Sequence, residues 1–151
     1  MSRYWILNLL GVSLGINAGD DDDTYIEEYA ALVREANSTI WIVSDQMPST
    51  VYENPYFVEA LIQARTKGVN IQILAGPVKT KNTINLLRRK GAFVRKLQHF
   101  PKHNYAVIDG QHARIEETGF QGRIGCAQYI IHDYIHVSKL ENNFRALSNT
   151  L

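Results

Sequence analysis

The sequence predicts an α/β fold: a single domain with a mixed, mostly parallel sheet flanked by helices. Three observations lead there. Between residues 24 and 97, stretches with a helical repeat of apolar positions alternate three times with short runs rich in β-branched residues. Turn and capping residues stand at the offsets expected between such elements. At 151 residues, 45% apolar and 21% charged, the chain suits one core that needs neither metal nor disulfide.

Each element has its own warrant. Thr24 and Glu27 have capping-box spacing, and Ile26, Tyr29, Ala30 and Val33 then recur on one face, predicting a helix over residues 24 to about 36. Residues 39–44, Thr-Ile-Trp-Ile-Val-Ser, lack a helical period and favour a strand. Residues 45–54 read as a loop around Pro48. Asn54 caps a second helix with Pro55 at its first position, Val58, Leu61 and Ile62 turned inward, and Gly68 just past its end. A strand follows over 69–75, broken by Gly76-Pro77. A third helix covers 81–90, with Gly91 as its stop signal, and a third strand covers 92–97.

Tyr105 to Ile108 is short, rich in β-formers and closed by Asp109-Gly110, so it reads as a buried strand. Residues 112–116 form the returning arm of a hairpin turning at Asp109-Gly110-Gln111. A glycine-containing loop over 118–125 precedes a strand over 126–132. Ser138 and Glu141 repeat the capping-box spacing ahead of a closing helix that carries Leu140, Phe144 and Leu147.

The net charge of +1 argues against a strongly basic nucleic-acid binder while leaving room for a local patch. Such a patch is visible: Lys79, Lys81, Arg88, Arg89, Lys90, Arg95, Lys96 and Lys102 gather around the third helix, with Phe93 and Phe100 among them. The ordinary interpretation of such a run is a solvated face. The other is a phosphate-backbone contact surface, for which Lys81, Arg88, Arg89 and Lys96 are the candidate ligand-binding residues. The single Cys126 excludes an intrachain disulfide and reads as a small buried residue.

Residues 1–23 read as an apolar segment followed by an acidic linker, ahead of a domain over 24–151. The apolar stretch is shorter than the ~20 residues of a membrane span, so no membrane contact is expected. Its outline, Arg3 ahead and Asn17-Ala18 behind, is that of a signal peptide, but one basic side chain and the bulky Ile16 favour a strand or helix packed on the core or on a partner. A cytoplasmic location is expected, with export as the alternative. Asp20 to Asp23 lack the spaced ligands of a calcium loop and suit the positive end of a helix dipole. His99/His103 and His132/His136 have i, i+4 spacing, yet Pro101 interrupts the first pair and the second straddles a strand end, so no metal or other cofactor is expected.

The segment Lys102–His103–Asn104–Tyr105–Ala106–Val107–Ile108–Asp109–Gly110 resembles the signature of the phospholipase D superfamily, H-x-K, four residues, then D. Supporting matches are Ile40-Trp41-Ile42-Val43-Ser44, Phe57-Val58-Glu59-Ala60-Leu61 and Lys67-Gly68-Val69-Asn70-Ile71-Gln72-Ile73-Leu74. With Asp109 at the family aspartate, Asn104 stands where the family has lysine and Lys102 where it has the nucleophilic histidine. A second register, shifted by one, sets His103 at the histidine position and Tyr105 at the lysine position, leaving the strand one residue short. The family's Gly-Ser phosphate cradle is replaced by Ile115-Glu116-Glu117-Thr118.

The resemblance implies a phospholipase D-like fold, a homodimer that brings two motifs to one phosphate, and catalysis by a histidine nucleophile with lysine support. Its candidate site residues are Lys102, His103, Asn104 and Asp109. A protonated Lys102 is a poor nucleophile and Asn104 brings no charge, so the motif reads as degenerate and inactive. The expected role is a binding or regulatory module for a phosphate-containing ligand, nucleic acid among them. The alternatives are an active phosphodiesterase using His103 across a homodimer, and an interaction domain docking through its N-terminal segment.

Overall fold

A computed structural model describes residues 16–18, 22–77, 81–117 and 127–151. In chain order the elements are β1 (Ile16–Ala18), α1 (Asp22–Arg34), β2 (Thr39–Ser44), α2 (Ser49–Tyr52), α3 (Pro55–Thr66), β3 (Asn70–Ala75), α4 (Lys81–Arg89), β4 (Phe93–Lys96), β5 (Asn104–Ile108), β6 (His112–Glu117), β7 (Ala127–Ile131) and α5 (Tyr134–Ser148). The strands form one sheet in the order β1-β7-β6-β5-β2-β3-β4. The loop over 118–125, Cys126, Lys79, Asp20, Asp21 and residues 1–15 lie outside the described residues, as does the side chain of Thr24.

The mixed sheet holds, but its parallel part is confined to one side. Only β2–β3 and β3–β4 run parallel; β2–β5, β5–β6, β6–β7 and β1–β7 run antiparallel. Helices α3 and α4 supply the crossovers that parallel neighbours require, whereas no helix separates β4 from β5 and a tight turn joins β5 to β6.

Apolar side chains alternate along the central strands and build a core on each face. Ile40, Ile42, Ile71, Ile73, Ala106 and Ile108 pack under α1, α3 and α4 with Tyr29, Phe57 and Leu87. Val43, Leu74, Tyr105, Val107 and Ile115 pack under α5 with Val137, Leu140 and Phe144. A sheet covered on both sides explains why these strands read as nearly continuous apolar runs.

Local chemistry sets most boundaries. Asn54 Oδ1 accepts from the Tyr56 N–H at 2.9 Å, capping α3 ahead of Pro55. Helix α5 starts earlier than its Ser138 capping box predicts: Asp133 Oδ1 accepts from the Ile135 N–H at 2.8 Å and Ser138 lies inside the helix. The predicted loop over 45–54 contains the short α2, which buries Val51 and Tyr52. Between β5 and β6, Asp109 and Gly110 both take positive φ, 55° and 65°, as the primed hairpin turns demand.

Candidate functional site

The candidate motif spans the length of β5, and its members fall at opposite ends of the sheet. Asn104 opens the strand and Asp109 follows its last residue, five extended residues away, roughly 17 Å at the usual rise per residue. Lys102 is exposed and His103 half-buried, both just ahead of Asn104.

At the Asn104 end, the site faces the turn that follows β2 and the last part of β6. Asn104 is 4% exposed. Its Oδ1 accepts from the Asp45 N–H at 2.8 Å, and its Nδ2 donates to Asp45 Oδ1 at 2.8 Å. Gly76 packs against the same turn, where an added Cβ would collide with the Asp45 carbonyl oxygen. In the ladder, Asn104 lies opposite Glu116, a buried carboxylate. Asn104 is therefore tied to one carboxylate and lies across the ladder from another.

Glu116 is held by Arg114, whose Nη1 lies 3.3 Å from Glu116 Oε2. Arg114 is 1% exposed, its guanidinium 3.9 Å from the Tyr29 ring centre and 4.4 Å from that of Tyr25. Burial alone would lower the Arg114 pKa; the oxygens of Tyr25 and then Glu116 outweigh it and push it up. Burial likewise raises the phenols of Tyr25, Tyr29 and Tyr52, which stay protonated at neutral pH. This buried pair was not foreseen from the sequence. An arginine alternating with apolar residues in a strand carries no signal for the distant α1 tyrosines that enclose it.

The Asp109 carboxylate faces the other end of β2. Oδ1 accepts from the N–H groups of Asn37, Ser38 and Thr39 at 3.1, 2.7 and 2.9 Å, and Oδ2 from Asn37 at 2.9 Å. The Asp109 N–H in turn donates to the Thr39 carbonyl at 2.8 Å. Asp109 thus clamps the α1–β2 connection to the β5–β6 turn.

The His103 imidazole departs from its ordinary value. Burial, and then the Lys102 ammonium, pull its pKa down, so the imidazole is neutral at pH 7. The structure brings Lys102, His103 and Asn104 together by adjacency in the chain and keeps Asp109 away from them.

The predicted ligand-binding residues divide between the surface and a groove. Lys81, Arg89 and Lys96 are exposed. Arg88 Nε and Nη2 donate to the Val94 carbonyl at 3.2 and 2.7 Å. Arg88 also lines a groove of about 540 Å³ along β4 and the start of β3, with Asn70, Gln72, Phe93 and Arg95. Phe93 is 60% exposed, and an Arg95 nitrogen donates to Ser148 Oγ on α5. Of the i, i+4 histidine pairs, His132 precedes α5 while His136 lies within it; His132 meets His112 instead, Nδ1 to Nδ1 at 2.6 Å.

No family model matches the sequence, and no curated protein matches it. Solved structures do match in fold. TrmBL2, an archaeal chromatin protein with a novel mode of DNA binding, superposes with a TM-score of 0.66 over 96% of this chain, at 18% identity. The chain spans 58% of that protein's length. Nuc from Salmonella typhimurium, a phospholipase D family member, gives 0.63 at 14% identity, covering 80% of this chain and 84% of its own. NucT from Helicobacter pylori gives 0.66 at 12% identity, covering 85% and 89%. The chain has the phospholipase D-like fold, a single α/β domain with an open mixed sheet flanked by helices. No helix among the described residues is long and apolar enough to cross a membrane.

Proposed function

We propose that this chain is a phospholipase D-like domain without phosphodiesterase activity that binds a phosphate-bearing ligand, nucleic acid foremost. The observation that carries the reading is Asn104 joined to Asp45 at 2.8 Å and paired across the ladder with Glu116. A scissile phosphate needs free positive charge at that point; Asn104 is neutral, Asp45 is a carboxylate, and the nearby Arg114 guanidinium is taken up by Glu116. Lys102 is an exposed ammonium and so no nucleophile, and the Asp109 carboxylate is occupied by three backbone N–H groups at the far end of the strand.

Binding rests on the other face of the chemistry. Lys81, Arg88, Arg89 and Lys96 cluster around α4 and β4, and the adjoining groove adds Arg95 and the exposed ring of Phe93. Cations beside an exposed aromatic suit a phosphate backbone with an unpaired base. Likeness of fold to TrmBL2 is compatible with this ligand class. A homodimer is part of the proposal, by the resemblance to single-motif relatives and by the exposed Phe100 just ahead of the motif.

The test uses single- and double-stranded DNA and a generic phosphodiester. We expect no turnover, and an affinity for DNA that falls steeply with salt. Turnover that disappears in His103→Ala would overturn the inactive reading, and a flat salt response would remove the nucleic-acid reading. One feature favours the active alternative: burial, and then the Lys102 ammonium, lower the His103 pKa and so favour the neutral ring that a nucleophile or general base needs.

A further inference from the structure

We propose that His112 and His132 form a two-histidine site for a transition-metal ion of the zinc, nickel or copper class, at the hairpin end of the sheet. The β6–β7 ladder pairs Ala113 with Ile131, so the next rung outward sets His112 opposite His132. The rings meet edge to face, 4.7 Å between centres and 80° between planes, with the Nδ1 atoms 2.6 Å apart. A contact that short places a proton between the two nitrogens, one donating and the other presenting its lone pair. Both ring nitrogens therefore aim at one point between the strands.

A metal ion replaces that shared proton with little rearrangement. Two bonds of about 2.0–2.1 Å at a tetrahedral angle set the nitrogens about 3.3 Å apart, so the rings open by less than an ångström. His132 follows the last residue of β7 and is exposed, whereas His112 is half-buried within β6, so His132 makes the adjustment. Imidazole donors favour zinc, nickel and copper over magnesium or calcium. The adjacent Asp133 is engaged elsewhere, by the Ile135 N–H and by His136 Nδ1 at 2.9 Å. Among the described residues no third histidine, cysteine or carboxylate joins the pair, so water completes the coordination. The site is independent of the proposed ligand binding: it lies on β6 and just past β7, and β5 and β2 stand between it and the groove along β3 and β4.

Calorimetric titration of the full chain with nickel or zinc alone tests the proposal. The expected result is one saturable ion per chain. His132→Gln should weaken it by at least the roughly 10–100-fold that loss of an outer-shell partner costs a metal site. His99→Gln, on an exposed loop, should leave it unchanged. With copper, electron paramagnetic resonance should show two coupled nitrogens in the natural protein and one in His132→Gln, a readout that a loss of folding would not mimic. Absence of saturable binding, or binding that survives His132→Gln, overturns the site.

Discussion

Asn104 grips Asp45 twice, through its backbone N–H and through its carboxylate, each at 2.8 Å. That double contact ties the start of β5 to the end of β2 where the resemblance to phospholipase D enzymes leads one to expect a free cation. Asn104→Ala should therefore lower stability by about 1–3 kcal/mol, since it strips partners from groups at a buried strand end. Urea unfolding measures it, and the same variant should leave phosphodiesterase activity at the blank level.

Asp109 should behave as a structural clamp. Asp109→Ala removes the acceptor for three backbone N–H groups and strains a residue at φ 55°, and we expect a loss of about 2–4 kcal/mol from both effects. Asp109→Asn keeps an acceptor oxygen and tolerates positive φ, so it should lose about half as much. Equal losses in the two variants would show that the backbone, and not the carboxylate, sets the cost.

The buried Arg114–Glu116 pair should be asymmetric under mutation. Glu116→Gln or Arg114→Met alone leaves an uncompensated charge in the interior and should cost about 3–5 kcal/mol. Replacing both together should recover much of that loss. Thermal or urea unfolding of the three variants forms the double-mutant cycle, and simple additivity would contradict the argument.

His103 carries a pH signature. Its folded-state pKa lies below the ordinary histidine value, burial being the larger cause and Lys102 the smaller. The unfolded chain therefore takes up the proton first as pH falls through the usual histidine range, and the folded state loses stability there; above that range the group contributes no penalty. His103→Gln should flatten the stability profile between pH 7 and the folded-state titration point. Lys102→Ala should raise the His103 pKa by the smaller share only, as followed by NMR of the ring protons.

Much of the fold was legible because its signals are local. The Asn54-Pro55 start of α3, the Asp109-Gly110 turn and the β-rich runs each announce themselves within a few residues. The direction of β5 did not, since nothing within Tyr105 to Ile108 distinguishes a parallel from an antiparallel neighbour. Helix α2 escaped because four residues carry no period. The start of α5 was misplaced because the Ser138 capping box competes with Asp133, and only the backbone N–H of Ile135 decides between them. At the candidate site the residue types were visible and their partners were not. Asp45, Tyr25 and Tyr29 reach the motif strands from other elements, and the His112–His132 contact exists only once β6 and β7 pair.

Strand β4 ends the sheet, and an outermost strand with open backbone groups invites another chain to add to it. The Leu97 N–H donates to the Ala75 carbonyl, so the alternation along β4 turns the Val94 carbonyl outward, where the Arg88 guanidinium caps it. A foreign strand would have to displace that charge-assisted contact before it could register. Arg88 thus covers one acceptor of that border, and Arg88→Ala should leave it open to an added strand, read as a higher tendency to aggregate by light scattering.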